Sequence, residues 1–279
     1  HVGPGVGCVV RTLAVPESNP EIAAALARGI PVLTYPELLG RLMATKVGVA
    51  VAGTHGKSTT TGMLAHVLVQ AGADPSVILG GEVATLGGAS RHGRGDHFVV
   101  EACEFQRAFL NLAPRCTLLT NIELDHVDCY RDLGEIEAAF GAFLRRLPRD
   151  GCVVACADDP AVMGVGVAHA PCRVVTYGLD VRASVDGDVR EMVREHVAFT
   201  LRREGEVLGD VRLLVPGRHN VRNAIGAAAA ALTLGIAPDA VRAGLATFPG
   251  VGRRFEVVGE GGGVTVVDDY AHHPTAVRV

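Results

Sequence analysis

Short apolar runs alternate with segments of helical periodicity through most of the chain. The apolar runs are Val47 to Ala52, Phe98 to Ala102, Thr117 to Thr120, Cys152 to Ala155 and Arg173 to Tyr177. Such runs predict strands that are buried on both faces of a parallel sheet. Between them, apolar residues recur at helical spacing from Met63 to Ala71 and from Ile136 to Leu147. The alternation predicts an α/β protein with a doubly wound, mostly parallel sheet.

Residues 1 to 46 have the pattern of a separate, smaller α/β unit. A strand begins at Val9, and Asn19 is placed to cap a helix that follows it. A second strand from Ile30 to Leu33 and a second helix from Pro36 to Met43 come next. The chain opens on His-Val-Gly without an initiating Met, so we expect this unit to be the end of a domain that is truncated here.

The pattern changes between residues 196 and 215. Apolar and polar positions alternate from Val197 to Leu201, and a Glu-Gly-Glu turn leads to a second strand that ends at Val215. This alternation predicts an antiparallel hairpin added beside the parallel sheet. An alanine-rich helix is expected from Asn220 to Leu234, and the last predicted strand, Val264 to Val267, runs into two aspartates.

The composition is that of an ordinary globular protein, with 279 residues of which 48% are hydrophobic and 20% charged. A formal net charge of −4 provides no general cationic field for nucleic acid or an anionic membrane, so phosphate chemistry must come from a local site. No uncharged apolar run reaches the roughly 20 residues of a membrane span. The seven cysteines form no Cys-x-x-Cys pair, which argues against a zinc site or a disulfide framework and favours reduced thiols in the cytoplasm.

The strongest chemical signal is Gly53-Thr54-His55-Gly56-Lys57-Ser58-Thr59, set between a predicted strand and a predicted helix. Glycines let the backbone turn tightly enough to direct several N–H groups at one phosphate, and the positive end of the helix points the same way. Lys57 is placed to reach the β- and γ-phosphates, and the Ser58 hydroxyl to bind Mg²⁺. The strict Walker spacing requires glycine where this chain has Val51. A glycine-rich turn with a solvated lysine is the alternative.

Two further strand ends carry acidic and polar residues. Glu101 ends a buried strand, and a carboxylate at the carboxyl end of a parallel strand lies in the crevice where α/β sheets bind ligands. Because Mg²⁺ prefers hard oxygen ligands, Glu101 is a natural partner of Ser58. The segment Thr120 to Asp128 includes His126 and indicates a second metal or a phosphate contact, although His126 alone also fits a loop or core histidine.

Three later segments carry polar groups whose roles their local pattern leaves open. Asn220 and Asn223 are three residues apart at the start of the alanine-rich helix, where capping by Asn220 is the simplest interpretation. Arg253 and Arg254 suit a phosphate or a carboxylate, or form a solvated basic pair. Asp268 to Pro274 places two acids and two histidines after a strand, a spacing compatible with a metal site.

In this order, the segments resemble the motifs of the Mur ligase family. The matching stretches are Gly53 to Thr61, Glu101 to Glu104, Thr120 to Tyr130, Pro216 to Asn223, Gly252 to Glu256 and Asp268 to Pro274. The resemblance covers essentially the whole chain. It implies a P-loop-type core at residues 47–252, flanked by the end of a UDP-sugar-binding domain at 1–46 and the start of a Rossmann-like C-terminal domain at 253–279. The phosphate-loop histidine and Asp-Asp-Tyr-Ala-His-His-Pro are similar to the members that add L-alanine to UDP-N-acetylmuramate.

The resemblance also implies site residues for ATP and Mg²⁺. The nucleotide-binding residues are Gly53, Thr54, His55, Gly56, Lys57, Ser58, Thr59, Asn220 (at the adenine) and Asp269 (where the C-terminal domain touches the nucleotide). The metal ligands are Ser58 and Glu101 for one Mg²⁺ and His126 for a second. The catalytic residues are Lys57, His126 and one of two arginines near the transferred phosphate, Arg253 or Arg254.

The implied activity is that of an ATP-dependent ligase in peptidoglycan precursor synthesis, located in the cytoplasm. The carboxylate of UDP-N-acetylmuramate attacks the γ-phosphoryl group, and the amine of L-alanine then attacks the resulting acyl phosphate. A murein-peptide recycling ligase shares these motifs and is the nearest alternative. A non-catalytic nucleotide-binding homologue is another. A nucleotide kinase or GTPase is a third, but it leaves the histidine and double-aspartate segments without a purpose.

Overall fold

The computed structural model describes residues 2–278. The strands are β1 Val9–Arg11, β2 Val32–Thr34, β3 Val47–Ala52, β4 Ser76–Val83, β5 Gly88–Arg91, β6 His97–Ala102, β7 Cys116–Leu119, β8 Cys152–Cys156, β9 Arg173–Gly178, β10 Val185–Met192, β11 Val197–Arg203, β12 Glu206–Leu213, β13 Glu256–Gly261 and β14 Val264–Asp268. The α-helices are α1 Pro20–Ala27, α2 Tyr35–Met43, α3 Lys57–Gln70, α4 Leu133–Leu144, α5 Pro160–His169, α6 Arg218–Thr233, α7 Pro238–Ala246 and α8 Pro274–Arg278. Short 3₁₀ segments occur at Ala84–Leu86 and Phe105–Asn111.

One ten-stranded sheet organises the protein, in the order β12-β11-β10-β9-β8-β7-β3-β6-β4-β5. The strands from β10 to β4 in this order run parallel to their neighbours. At one edge β11 and β12 form an antiparallel hairpin, and at the other β5 pairs antiparallel with β4. The predicted α/β class, mostly parallel sheet and added hairpin are therefore confirmed.

The sequence does not predict strand β10, because acidic residues interrupt the apolar run that is typical of a buried strand. Asp186 is only 4% exposed. Its carboxylate accepts a hydrogen bond from Arg202 Nε on the neighbouring strand β11 at 2.8 Å, and Arg202 Nη1 donates to Asp188 at 2.5 Å. A buried carboxylate is tolerated when an opposite charge is held against it. The partner here lies on another strand, so the local pattern does not reveal it.

The N-terminal unit forms as its turn residues predict. Strands β1 and β2 pair in a separate parallel sheet. Asn19 caps α1 by accepting a hydrogen bond from the Glu21 amide at 2.9 Å. Thr34 and Glu37 form a reciprocal capping box at the start of α2. The C-terminal strands β13 and β14 form another separate sheet, an antiparallel hairpin whose first strand was not predicted.

The central strand β3 positions the candidate site. Its residues from Gly48 to Ala52 are buried between β6 and β7. Ala52 at its carboxyl end is level with Ala102 on β6 and with Leu119 on β7. Three adjacent parallel strands thus end at the same height, and the loops that follow them meet at one edge of the sheet.

Helix α3, which leaves the first of these loops, packs against α6 and α7, while α4 packs against α5. The approach of α7 is close, because a Cβ on Gly244 would lie 2.9 Å from the Cα atom of Val67 on α3. Within residues 2–278, none of the helices combines the length and the apolar character that a membrane span requires.

We predict that Gly244→Ala destabilises the protein by about 1–3 kcal/mol, because the new methyl group forces α7 away from the α3 backbone. Gly164→Ala is the matched control. It also adds a methyl group to a helical glycine, but nothing lies within 4 Å of the new atom. Better helix propensity should then raise stability by up to about 1 kcal/mol. Urea unfolding of both variants measures the difference, and equal stability would contradict the close packing.

Candidate active site

The turn between β3 and α3 is a tightly packed loop that requires its glycines. Gly53 and Gly56 have φ angles of 138° and 78°, which side chains other than glycine rarely adopt. A Cβ on Gly53 would lie 2.1 Å from Thr120 Oγ1, and a Cβ on Gly56 would lie 2.7 Å from Asn223 Oδ1. The loop therefore fits between the segment after β7 and the first turns of α6, and it leads into the positive end of α3.

The segment after β7 holds the backbone of this loop. Asn121 accepts a hydrogen bond from the His55 amide at 2.8 Å and donates from its Nδ2 to the His55 carbonyl oxygen at 3.0 Å. Thr120 Oγ1 donates to the same carbonyl oxygen at 2.6 Å. From the sequence, both residues belong to a polar segment after a strand, and their pattern indicates no role for either. The loop conformation depends on them.

Ser58 and Glu101 lie together at the start of α3. Ser58 Oγ donates to Glu101 Oε1 at 2.9 Å, and the Gly80 amide donates to Glu101 Oε2 at 2.6 Å. Arg254 Nη2 also donates to Ser58 Oγ, at 3.3 Å. A hydroxyl and a carboxylate side by side are hard oxygen donors, which suit Mg²⁺. Thr59, the next residue of α3, is buried in the same turn.

Lys57 forms an ion pair with Glu104 inside the protein. Its Nζ lies 2.9 Å from Glu104 Oε1 and also donates to the carbonyl oxygens of Gly53 at 2.6 Å and Thr54 at 3.0 Å. Glu104 is 0% exposed, and its Oε2 is buried without a hydrogen-bond partner. Glu104 belongs to one of the motifs in the sequence, but the motif alone indicates no function for it. The sequence feature that could have indicated its role is that it is the second carboxylate of the Glu-Ala-Cys-Glu segment.

His126 lies beside Glu104. Its Nε2 is 3.7 Å from Glu104 Oε1, and its ring centroid is 5.1 Å from that of Phe105. The backbone of His126 has a φ of 51°, a strained conformation for a side-chain-bearing residue and one that recurs at functional sites. The ligand atoms of Cys103, Glu104 and His126 all lie within 4.8 Å of one another, so this group is able to hold a cation.

The two candidate arginines have different environments. Arg254 reaches Ser58, whereas Arg253 Nε lies 3.7 Å from Asp268. Both guanidinium groups lie near the Tyr270 ring, at 5.0 Å (Arg253) and 5.2 Å (Arg254) from its centre. The Arg253 side chain is 65% exposed. Arg254, and not Arg253, is therefore the arginine that contacts the start of α3 beside the phosphate loop. Asp269 accepts hydrogen bonds from the backbone amides of Phe255 and Ala271, at 2.8 and 2.7 Å, and so ties the arginine loop to the end of β14.

The prediction that Asn220 caps the alanine-rich helix is wrong. Helix α6 begins earlier, at Arg218, and its cap position is Gly217 with a φ of 101°. Asn220 is therefore inside the first turn, where its Nδ2 donates to the Pro216 carbonyl oxygen at 2.7 Å. Asn223 donates to Asn220 Oδ1 at 3.3 Å and lies against Gly56, so this pair of amides borders the phosphate loop.

The His55 side chain lies near the polar segment after β7 and the C-terminal segment. Its Nε2 is 3.5 Å from Glu123 Oε2, and its ring centroid is 4.4 Å from that of His273. Burial lowers the pKa of His55 below its usual value, although Glu123 opposes the shift. A lowered pKa favours the neutral form of the imidazole.

Comparison with known proteins gives family matches along nearly the whole chain. The Mur ligase middle domain matches residues 51–231, the Mur ligase family catalytic domain matches residues 2–47, and the Mur ligase glutamate ligase domain matches residues 253–279. The chain is 46% identical over 263 residues to the UDP-N-acetylmuramate--L-alanine ligase of Salinibacter ruber. It is 41% identical over 270 residues to the enzyme of that name from Desulfitobacterium hafniense.

These matches cover 94% and 97% of this chain but 55% and 60% of the two relatives, so the chain spans little more than half of their length. Among solved structures, UDP-N-acetylmuramate-alanine ligase from Thermotoga maritima superposes with a TM-score of 0.82 at 31% identity, over 98% of this chain and 62% of that one. UDP-N-acetylmuramate:L-alanyl-gamma-D-glutamyl-meso-diaminopimelate ligase from Neisseria meningitides gives 0.79 at 27% identity, over 88% and 80%. The chain belongs to the Mur ligase family.

Proposed function

We propose that this chain is the ATP-binding part of a ligase that joins L-alanine to the carboxylate of UDP-N-acetylmuramate. The observation that carries the proposal is the meeting of Lys57, Ser58 and Glu101 at the end of β3, with Ser58 Oγ 2.9 Å from the Glu101 carboxylate. The relatives that are 46% and 41% identical are named for this reaction, which supports the choice of substrates.

We further propose that the chain divides at residues 46 and 252 into the end of a UDP-sugar-binding domain, the ATP-binding core and the start of a C-terminal domain. The separate two-stranded sheets β1-β2 and β13-β14 on either side of the ten-stranded sheet support these boundaries. We place the reaction in the cytoplasm, where ATP is available.

The residues at the loop fit a nucleotide bound with Mg²⁺. Ser58 and Glu101 would hold the ion through oxygen atoms, and the ion would supply positive charge beside the transferred phosphoryl group. Glu104 and His126 would hold a second ion, which is supported by the buried Glu104 oxygen that lacks a partner. Asn223 lies against Gly56 and donates a hydrogen bond to Asn220 Oδ1, and Asn220 would contact the adenine.

The chain's own cations would stabilise the negative charge of the transfer. The carboxylate oxygen of the sugar nucleotide forms a bond to the γ-phosphorus as the bond to the bridging oxygen breaks, and ADP leaves. The alanine amine then forms a bond to the acyl carbon, releases phosphate and loses a proton. Arg254 and Lys57 would donate hydrogen bonds to phosphoryl oxygens, and Lys57 would first give up at least one of its bonds to Gly53, Thr54 and Glu104. Positive donors held beside the transferred group lower the barrier by stabilising its developing charge.

We predict that Lys57→Ala in the intact enzyme lowers ADP release dependent on UDP-N-acetylmuramate and L-alanine by roughly 10²–10³-fold. The substitution also leaves the buried Glu104 carboxylate unpaired, which is itself destabilising. The double variant Lys57→Ala/Glu104→Gln removes that charge and so tests whether lost stability alone explains the lost turnover. We expect it to regain thermal stability while it remains inactive.

Recovery of turnover in the double variant would show that Lys57 acts only by neutralising Glu104. Lys46→Ala is the control for loss of a lysine, because the Lys46 ammonium binds the backbone carbonyl oxygens of Gly93 and Gly95, away from the loop. The same assay with L-alanyl-γ-D-glutamyl-meso-diaminopimelate in place of L-alanine tests substrate choice. Faster turnover of the peptide would replace the proposed reaction with that of a peptide ligase.

We predict that Gly56→Ala weakens Mg·ATP binding by about tenfold or more, equivalent to at least ~1.4 kcal/mol, because the new methyl group collides with Asn223. Gly205→Ala is a matched control. Gly205 has a φ of 82°, close to the 78° of Gly56, but nothing lies within 4 Å of a Cβ at that position. Both variants should lose roughly 1–2 kcal/mol of stability through left-handed strain. Calorimetry that shows unchanged ATP affinity in Gly56→Ala would contradict the loop assignment.

A further inference from the structure

Three residues that are far apart in sequence bring metal-binding atoms together beside the phosphate loop. They are His55 in the loop, Glu123 after β7 and His273 just before α8. Their ligand atoms all lie within 4.8 Å of one another. Glu123 Oε2 is 3.5 Å from His55 Nε2 and 3.9 Å from His273 Nδ1, so the carboxylate is close to one nitrogen of each ring. The proposed ligase reaction assigns this group no role as a unit.

His55 Nε2 is available to a ligand. The atom is buried and has no hydrogen-bond partner. An unpaired polar atom in this position costs free energy unless something binds it. The backbone of His55 is fixed on both sides by the side chain of Asn121, which holds this residue beside Glu123 and His273.

The other two ligands are also oriented by their neighbours. His273 Nε2 lies 3.3 Å from the Leu124 carbonyl oxygen, and with the proton on Nε2 the lone pair is on Nδ1, which faces Glu123. The Thr275 amide makes a long contact of 3.3 Å to the same Nδ1, which a metal would replace. Thr275 Oγ1 donates to Glu123 Oε2 at 2.7 Å and holds the carboxylate in place. Metal ligands in proteins characteristically have outer partners of this kind.

We propose that His55, Glu123 and His273 form a binding site for a divalent transition metal of the Zn²⁺ class. Two imidazole nitrogens and one carboxylate are a ligand set that zinc adopts with a fourth position left open. Imidazole favours Zn²⁺, Co²⁺ and Ni²⁺ over Mg²⁺, which prefers oxygen. The site therefore differs in chemistry from the Ser58–Glu101 pair, whose donors are oxygen atoms.

Metal binding at this site would link three elements that otherwise meet through hydrogen bonds. One ligand belongs to the phosphate loop, one to the segment after β7 and one to the C-terminal segment. An ion that binds only the folded arrangement stabilises it in proportion to its occupancy. Thermal unfolding of the full chain should therefore shift to higher temperature with Zn²⁺, and the shift should depend on Glu123 and His273.

The Cys103, Glu104 and His126 group is the nearest competitor for such an ion, and its thiol makes the two distinguishable. Co²⁺ serves as the probe, because it replaces zinc and its absorption reports the ligands. We expect full-length Cys103→Ser, in excess Mg²⁺, to bind one equivalent of Co²⁺ with visible ligand-field bands. The parent chain should show the same bands without a thiolate-to-cobalt charge-transfer band.

Glu123→Gln and His273→Gln should each weaken Co²⁺ binding by about tenfold or more in the Cys103→Ser chain. His272→Gln is the matched control, because this adjacent, exposed histidine contacts the Tyr270 carbonyl oxygen and lies outside the cluster. It should bind Co²⁺ as the parent does. Circular dichroism without metal verifies that all three variants fold.

Equal Co²⁺ affinity in Glu123→Gln, His273→Gln and His272→Gln would overturn the proposal. So would a thiolate charge-transfer band in the parent that disappears, together with all binding, in Cys103→Ser. Neither readout requires ATP or a ligase substrate, so failure of the metal site and failure of the proposed ligase activity are separate results.

Discussion

The buried ion pair between Lys57 and Glu104 is the interaction on which the candidate site depends. Glu104 is 0% exposed, and a carboxylate in that position without a partner costs about 3–5 kcal/mol. The Lys57 ammonium at 2.9 Å removes this cost. Because Lys57 is also the first residue of α3 and binds the carbonyl oxygens of Gly53 and Thr54, one charge fixes the loop, the helix start and the end of β6 relative to one another.

The sheet explains why the charges meet here. Strands β6, β3 and β7 are neighbours and end at the same level, so Glu101, Gly53 and Thr120 emerge at one edge. Parallel strands direct the polar residues that follow them to this edge while their apolar residues stay in the core. Lys57 and Arg254 therefore lie close together at this edge of the sheet. The net charge of −4 alone would not predict such a local concentration of positive charge.

The sequence predicted what depends on local pattern and failed where a distant partner decides. The apolar run Val47–Ala52 matches β3 residue for residue, and the pairing of Ser58 with Glu101 followed from the rule that parallel strand ends converge. Strand β10 was missed because its acids are paired with Arg202 on another strand. The prediction that Asn220 caps α6 was wrong because Gly217, with its positive φ, occupies the cap position three residues earlier. Nothing in the local sequence indicates that Arg254, and not Arg253, reaches the phosphate loop.

The C-terminal segment is attached to the core mainly by polar contacts. The strand β13 is exposed throughout, and β14 is mostly exposed, so this hairpin buries little apolar surface. Its connections to the loop region include Arg254 to Ser58, Thr275 to Glu123 and His273 to the Leu124 carbonyl oxygen. Polar contacts of this kind contribute little net stability in water, and they permit relative motion of the parts that they join. Ser58 and Glu123 are also side chains to which we assign metal ions. An ion bound at Ser58 or at Glu123 therefore competes with or reinforces the contacts that hold the C-terminal segment. Metal binding at these two side chains is in this way coupled to the position of the C-terminal segment.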